Sequence, residues 1–122
     1  MDEISLRPTL AAPSAPQTSE PETLEPESLD LGPAAEHETT RLMRAVKAGD
    51  RAAFESLVTA VRRRAFHVAA SLVGSRDDAL ELCQEAFLKV YRARATYKDG
   101  EPFLPWFHRI LRNTCFSFML NS

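Results

Sequence analysis

No aromatic residue occurs in the first 50 positions of this 122-residue chain; all ten lie beyond them. A stretch without rings buries too little apolar surface to offset the entropy of ordering it. The core must therefore come from the rest, about 80 residues, which suffices for one small domain. Glycine is scarce, with four copies, and no phosphate-cradling glycine loop is present. The two cysteines, Cys83 and Cys115, are too few and too far apart for a disulfide framework. No run of 18 apolar residues exists, which excludes a membrane-spanning helix. The start lacks the basic and apolar stretches of a secretory signal. A cytoplasmic location is the resulting expectation.

Catalytic patterns are missing as well. His37, His67 and His108 do not stand at metal-ligand spacing from the cysteines, and neither a nucleophile elbow nor a zinc-protease motif occurs. Asp77 and Asp78 are adjacent, but they sit where a helix N-terminus favours acids. Neither an enzymatic activity nor a metal or cofactor is expected.

What is present is divided unevenly. Residues 1–40 carry nine acids and one base, Arg7, whereas residues 41–122 carry 14 Lys and Arg against eight acids. The net charge of −2 thus averages a −8 segment and a +6 segment. Six of the eight prolines also lie in the first 40 positions. The composition predicts a disordered, acidic, Pro-rich tail over 1–38.

From Thr39 onward the apolar residues recur at helical period. A first short helix through TRLMRAVKA stops at Gly49, and Asp50 caps a second. Phe54, Leu57, Val58, Val61, Ala65, Val68, Ala69 and Leu72 mark the buried face of the second helix, and Gly74 ends it. Ser75-Arg76-Asp77-Asp78 has the form of a capping box. A third helix follows to about Arg94, with Ala79, Leu80, Cys83, Ala86, Phe87, Val90 and Tyr91 as its core stripe. Thr96–Glu101 reads as a loop, and a last helix begins near Pro102–Pro105. The expected fold is an all-α, four-helix domain over 39–122.

Three surfaces offer function. Arg62, Arg63 and Arg64 are consecutive and fan around a helix, while Arg92, Arg94, Lys98, Arg109 and Arg112 add charge near the last two helices. Such a basic face suits a nucleic-acid backbone or is simply solvated. On the third helix, Asp78, Leu82 and Glu85 recur at i, i+4, i+7, a ridge suited to docking on a partner helix or else an ordinary polar face. Phe103, Trp106 and Phe107, with Tyr97 nearby, supply either a stacking platform for unpaired bases or core packing.

Three blocks resemble region 2 of bacterial RNA polymerase sigma factors of the extracytoplasmic-function group: AVKAGDRAAFESLV (45–58), SRDDALELCQEAFLKVYRA (75–93) and PFLPWFHRILRN (102–113). The resemblance covers residues 42–113, most of the helical part. The resemblance implies a transcription initiation module without catalysis of its own. It would bind the β′ clamp helices of RNA polymerase core through Asp78, Leu82, Gln84, Glu85 and Leu88. It would recognise and melt the −10 element of promoter DNA through Tyr97, Lys98, Trp106, Arg109, Arg112 and Asn113. An anti-sigma factor is a further expected partner.

The resemblance also marks departures. Ser117 stands where the family has Asp, and Leu120 and Asn121 stand where bases are expected. The family's second DNA-binding domain, a helix-turn-helix, has no counterpart in 1–122, so the expectation is a shortened form. The alternative is a sigma-like adaptor or decoy that binds core or an anti-sigma factor without reading DNA. For the acidic tail the two readings are a segment folding back on the basic face and a solubilising extension.

Overall fold

A computed structural model describes residues 29–121. The expected tail falls largely on residues 1–28, which lie outside the described residues. Four helices follow in order: α1 (Pro33–Lys47), α2 (Arg51–Val73), α3 (Arg76–Arg92) and α4 (Phe103–Leu120). A single 3-10 turn, Arg94–Thr96, sits between α3 and α4. Helix α3 packs on both α2 and α4, and α1 crosses α2 and α4. The all-α, four-helix expectation holds.

The helix ends follow from local chemistry. The Asp50 carboxylate accepts from the Ala53 amide at 3.1 Å, and the Ser75 hydroxyl accepts from the Asp78 amide at 3.2 Å. Each satisfies one donor that a helix start leaves without an intrahelical partner. Between these caps, α2 closes on Gly74, whose φ of 75° is left-handed and costs a glycine little.

Helix α1 starts six residues before the expected Thr39. Pro33 takes its first position, where a fixed φ and a missing N–H cost nothing, and Glu36 lies in the first turn. Leu29, just ahead of it, is buried, and Thr39 returns its hydroxyl to the Ala35 carbonyl at 2.8 Å. The Pro-rich, acidic composition that suggested a tail through residue 38 masked these start signals.

The centre of the bundle is aromatic. Phe87 of α3 stacks on Phe107 of α4 at 5.0 Å between centroids, and Phe103 stacks on Phe107 at 5.5 Å. Leu57, Val61, Ala65, Val68 and Ala69 of α2 are buried against them, as the periodicity predicted, while Phe54, Val58 and Leu72 are half-buried.

One part of the predicted α3 stripe is inverted. Leu80, expected inside, is 54% exposed, and Leu82, expected on the outer ridge, is 5% exposed. The two positions lie about 80° to either side of the stripe's centre, so periodicity alone treats them alike. Packing separates them: the second half of α4 covers the Leu82 side, where Thr114, Ser117 and Phe118 are its neighbours. Nothing covers the Leu80 side among the described residues to that extent.

Candidate functional site

The uncovered side of α3 meets α2 along a groove of about 540 Å³, lined by Val58, Arg62, Arg63 and Phe66 from α2 and by Leu80, Cys83, Gln84 and Phe87 from α3. Its floor is apolar and its α2 rim is basic. The Arg76 guanidinium lies 5.0 Å above the Phe66 ring and extends that rim. Leu88, one turn beyond Gln84, is 52% exposed. Leu80, Gln84 and Leu88 therefore form an outward row at i, i+4, i+8, with two half-exposed leucines bracketing an amide. Exposed leucines in such a row, beside an apolar groove, can take up a partner helix.

The expected ridge fares differently residue by residue. Gln84 and Leu88 belong to this row. Glu85 is exposed but faces the α4 side, where Lys89 lies 3.4 Å away at i+4. Asp78 is half-buried in the first turn of α3, and its amide is held by Ser75. Leu82 is a core residue, so it supports the surface from beneath. The groove residues Phe66 and Leu80 and the α2 arginines as part of this site were missed; the Leu-x3-Gln-x3-Leu spacing was the available signal.

The second surface is the segment between α3 and α4 together with the outer face of α4. Two of its expected contact residues point inward. Tyr97 has no exposed surface, and its ring meets Trp106 edge-on at 5.0 Å; Trp106 is 8% exposed and packs on Phe103 as well. Neither ring is a stacking platform. Their burial has a cause: the connection must close over the end of the bundle, and these rings, with Phe103 and Leu104, supply apolar groups that seal it. The Tyr97 hydroxyl donates to the Glu101 carbonyl, and burial raises the phenol's pKa.

Lys98, Arg109 and Asn113 are exposed. Arg109 and Asn113 are four apart on α4 and share a face. Arg112 is half-buried, with its guanidinium 5.0 Å above the Phe116 ring. Beyond Arg112, α4 carries no basic residue, and Ser117 and Leu120, the latter 85% exposed, occupy its outer end. The residues expected to meet DNA thus divide into four outward polar groups and two rings that build the floor beneath them.

Both cysteines are buried and free. Burial, with Cys115 close by, pushes the Cys83 thiol up to about 12, and Cys115 is raised in the same way. Among the described residues no cluster of His, Cys, Asp and Glu could hold a metal ion. No helix among them is long and apolar enough to cross a membrane.

Comparison with known proteins places this arrangement. Residues 57–121 match the family model described as Sigma-70 region 2. The RNA polymerase sigma-H factor of Pseudomonas aeruginosa is 30% identical over 79 residues, covering 65% of this chain and 41% of that protein. The ECF RNA polymerase sigma-E factor of Escherichia coli K12 is 32% identical over 79 residues, with the same coverage of 65% and 41%. The ECF RNA polymerase sigma factor SigE of Mycolicibacterium smegmatis is 40% identical over 68 residues, 53% of this chain and 26% of that one. The chain therefore spans less than half the length of these curated relatives. No solved structure gives a significant match.

Proposed function

Because this chain belongs to the Sigma-70 region 2 family, a non-enzymatic family whose domain in sigma factors binds core polymerase and the −10 element, we propose that it serves transcription initiation through two separate surfaces. The α2–α3 groove docks on a helix of RNA polymerase core, the β′ clamp, with Leu80, Gln84 and Leu88 in contact. Asp78 and Glu85 flank that contact, and Leu82 seats α3 on α4 behind it. Lys98, Arg109, Arg112 and Asn113 then meet the −10 strand, while Tyr97 and Trp106 hold the segment that carries Lys98.

The observation that carries the docking half is the outward Leu-Gln-Leu row beside an open apolar groove. Two half-exposed leucines around one amide are unfavourable in water and suit a partner that is apolar with a matching hydrogen-bonding group. The DNA half is supported by four outward polar groups on the α3–α4 segment and α4, three of them cationic. Cations there would neutralise phosphates, and the Asn113 amide adds donor and acceptor capacity.

The test is a two-step capture. The chain is incubated with core polymerase of its host, and the complex is then offered a fork-junction promoter DNA. Core binding followed by DNA retention is expected. A chain that fails to bind core removes the docking assignment.

A second reading has its own support. The end of α4 carries Ser117 where the resemblance expects Asp, and exposed Leu120 and Asn121 where it expects bases. An adaptor or decoy that occupies core, or an anti-sigma factor, without holding DNA fits that end. Core binding with no DNA retention would select it.

A further inference from the structure

The connection from α3 to α4 is tied down from α1, a helix that lies wholly outside the matched residues 57–121. The tie has two strands. Lys47, in the last turn of α1, donates from Nζ to the Tyr97 carbonyl. Thr40, two turns earlier, accepts from the Phe103 amide through Oγ1 at 2.9 Å. These bonds bridge sequence separations of 50 and 63 residues.

The Thr40 bond answers a specific need. Phe103 is the first residue of α4, so its amide has no intrahelical acceptor. The residue before it is Pro102, which has no side-chain oxygen to cap the helix. Thr40 supplies from α1 the oxygen that the local sequence lacks. The Tyr97 hydroxyl, which lies near Thr40, donates to the Glu101 carbonyl within the same segment. Two protons are thus placed: that of the Phe103 amide on Thr40 and that of the Tyr97 hydroxyl on the Glu101 carbonyl. Thr40 holds the far end of the segment 97–103, and Lys47 fixes its first carbonyl.

Between those anchors stand Lys98, Asp99 and Gly100, all exposed. We propose that Thr40 and Lys47 are positioning residues for this segment: α1 sets the shape in which Lys98 and its neighbours meet a nucleic-acid strand, and so tunes which bases the strand-holding end accepts. The inference rests on the reading that this end of the bundle holds a DNA strand. It adds that selectivity is set in part by a helix that touches no DNA.

Thr40→Val removes the hydroxyl at nearly constant volume, Thr40→Ser retains it, and Lys47→Met removes the ammonium while keeping the stem. Each is assembled with core polymerase and offered a pool of random single-stranded DNA, whose bound fraction is sequenced. Amide exchange of residues 97–103 is followed in parallel. Loss of one such bond predicts about fivefold faster exchange at Phe103 and about fivefold weaker strand capture, with a flatter base preference, for Thr40→Val. Lys47→Met should act in the same direction, Thr40→Ser should behave as the parent, and core affinity should not change.

Faster exchange in 97–103 with unaltered capture and base preference would overturn the proposal while leaving the strand-holding reading intact. A parent complex that captures no DNA would defeat both, and is told apart by the parent lane alone. Should Thr40→Val fail to fold, Lys47→Met decides, since Lys47 is an exposed residue whose loss leaves no cavity.

Discussion

Two leucines on α3 that are two residues apart should respond to substitution in opposite ways. Leu80 and Leu88 are 54% and 52% exposed, whereas Leu82 is 5% exposed. Complete burial of a leucine is worth about 1.5–3 kcal/mol, so covering the remaining half of Leu80 or Leu88 on docking contributes about 1 kcal/mol each, or about fivefold in Kd. The two stand eight residues apart on one helix, about 12 Å, which is far enough for their effects to add. Leu80→Ser with Leu88→Ser should therefore weaken core binding by about 30-fold. Leu82→Ala should instead lower folding stability by about 2–5 kcal/mol through cavity formation under α4. Once corrected for the folded fraction, its core affinity should match the parent's. The assay is competition for labelled core by fluorescence anisotropy, paired with urea unfolding of each variant. A double serine variant with parental Kd would refute the Leu80–Gln84–Leu88 row as the docking surface. So would a Leu82→Ala variant that folds normally and loses core.

Other consequences are simpler to read. Asp50→Ala removes the cap on the Ala53 amide and should cost about 1 kcal/mol in urea unfolding, and Asp50→Asn should recover most of it. Arg109→Ala should lower the slope of log affinity against log salt for single-stranded DNA by about 0.7, as expected for one lost phosphate contact, without altering core binding. The raised Cys83 thiol predicts that a thiol reagent leaves the folded protein unlabelled at neutral pH. A folded-state pKa of about 12 against an ordinary 9.0 means that the folded form retains this proton longer than the unfolded chain does. The contribution of this thiol to stability should therefore be fully present below pH 9.0 and be lost as pH climbs towards about 12. Cys83→Ala should flatten that decline, as followed by thermal melting across the range.

Features decided within a few residues were legible in the chain. Asp50, Gly74 and Ser75 act on their own helix ends, and the α2 stripe needs only a period and a core to face. Features decided across helices were not. The choice between Leu80 and Leu82 depends on where the second half of α4 lies, and no α3 pattern contains that information. The inward turn of Tyr97 and Trp106 follows from the need to close the bundle end. Their aromatic character pointed equally to stacking on a base. The cap on Phe103 comes from 63 residues upstream. A proline at the cap position hints that some oxygen must come from elsewhere, without saying from where. The early start of α1 is a different case, because Pro33 and Glu36 were readable signals hidden by the composition around them.

The burial of Tyr97 and Trp106 changes how a strand would be selected here. With both rings in the floor, the outward groups on this surface are Lys98, Arg109, Arg112 and Asn113. Cations attract any phosphate chain, so under the proposed function three of the four would supply affinity that falls with salt and carries little sequence information. The Phe116 ring under Arg112 holds that guanidinium to one side, and a phosphate must compete with the ring for it. Discrimination between bases must then come from Asn113 and from the contour of residues 97–102. That contour is set by the Tyr97–Trp106 edge contact below and by Thr40 and Lys47 from α1. Selectivity and folding stability are in consequence not separable at this end: a change in the packing under the segment reshapes what it accepts, while a change in surface charge alters grip alone. The groove proposed for docking is built differently, with exposed leucines that contribute little to the fold. Binding to core and choice of strand should therefore respond to different substitutions, the first to residues the bundle can spare and the second to residues it needs.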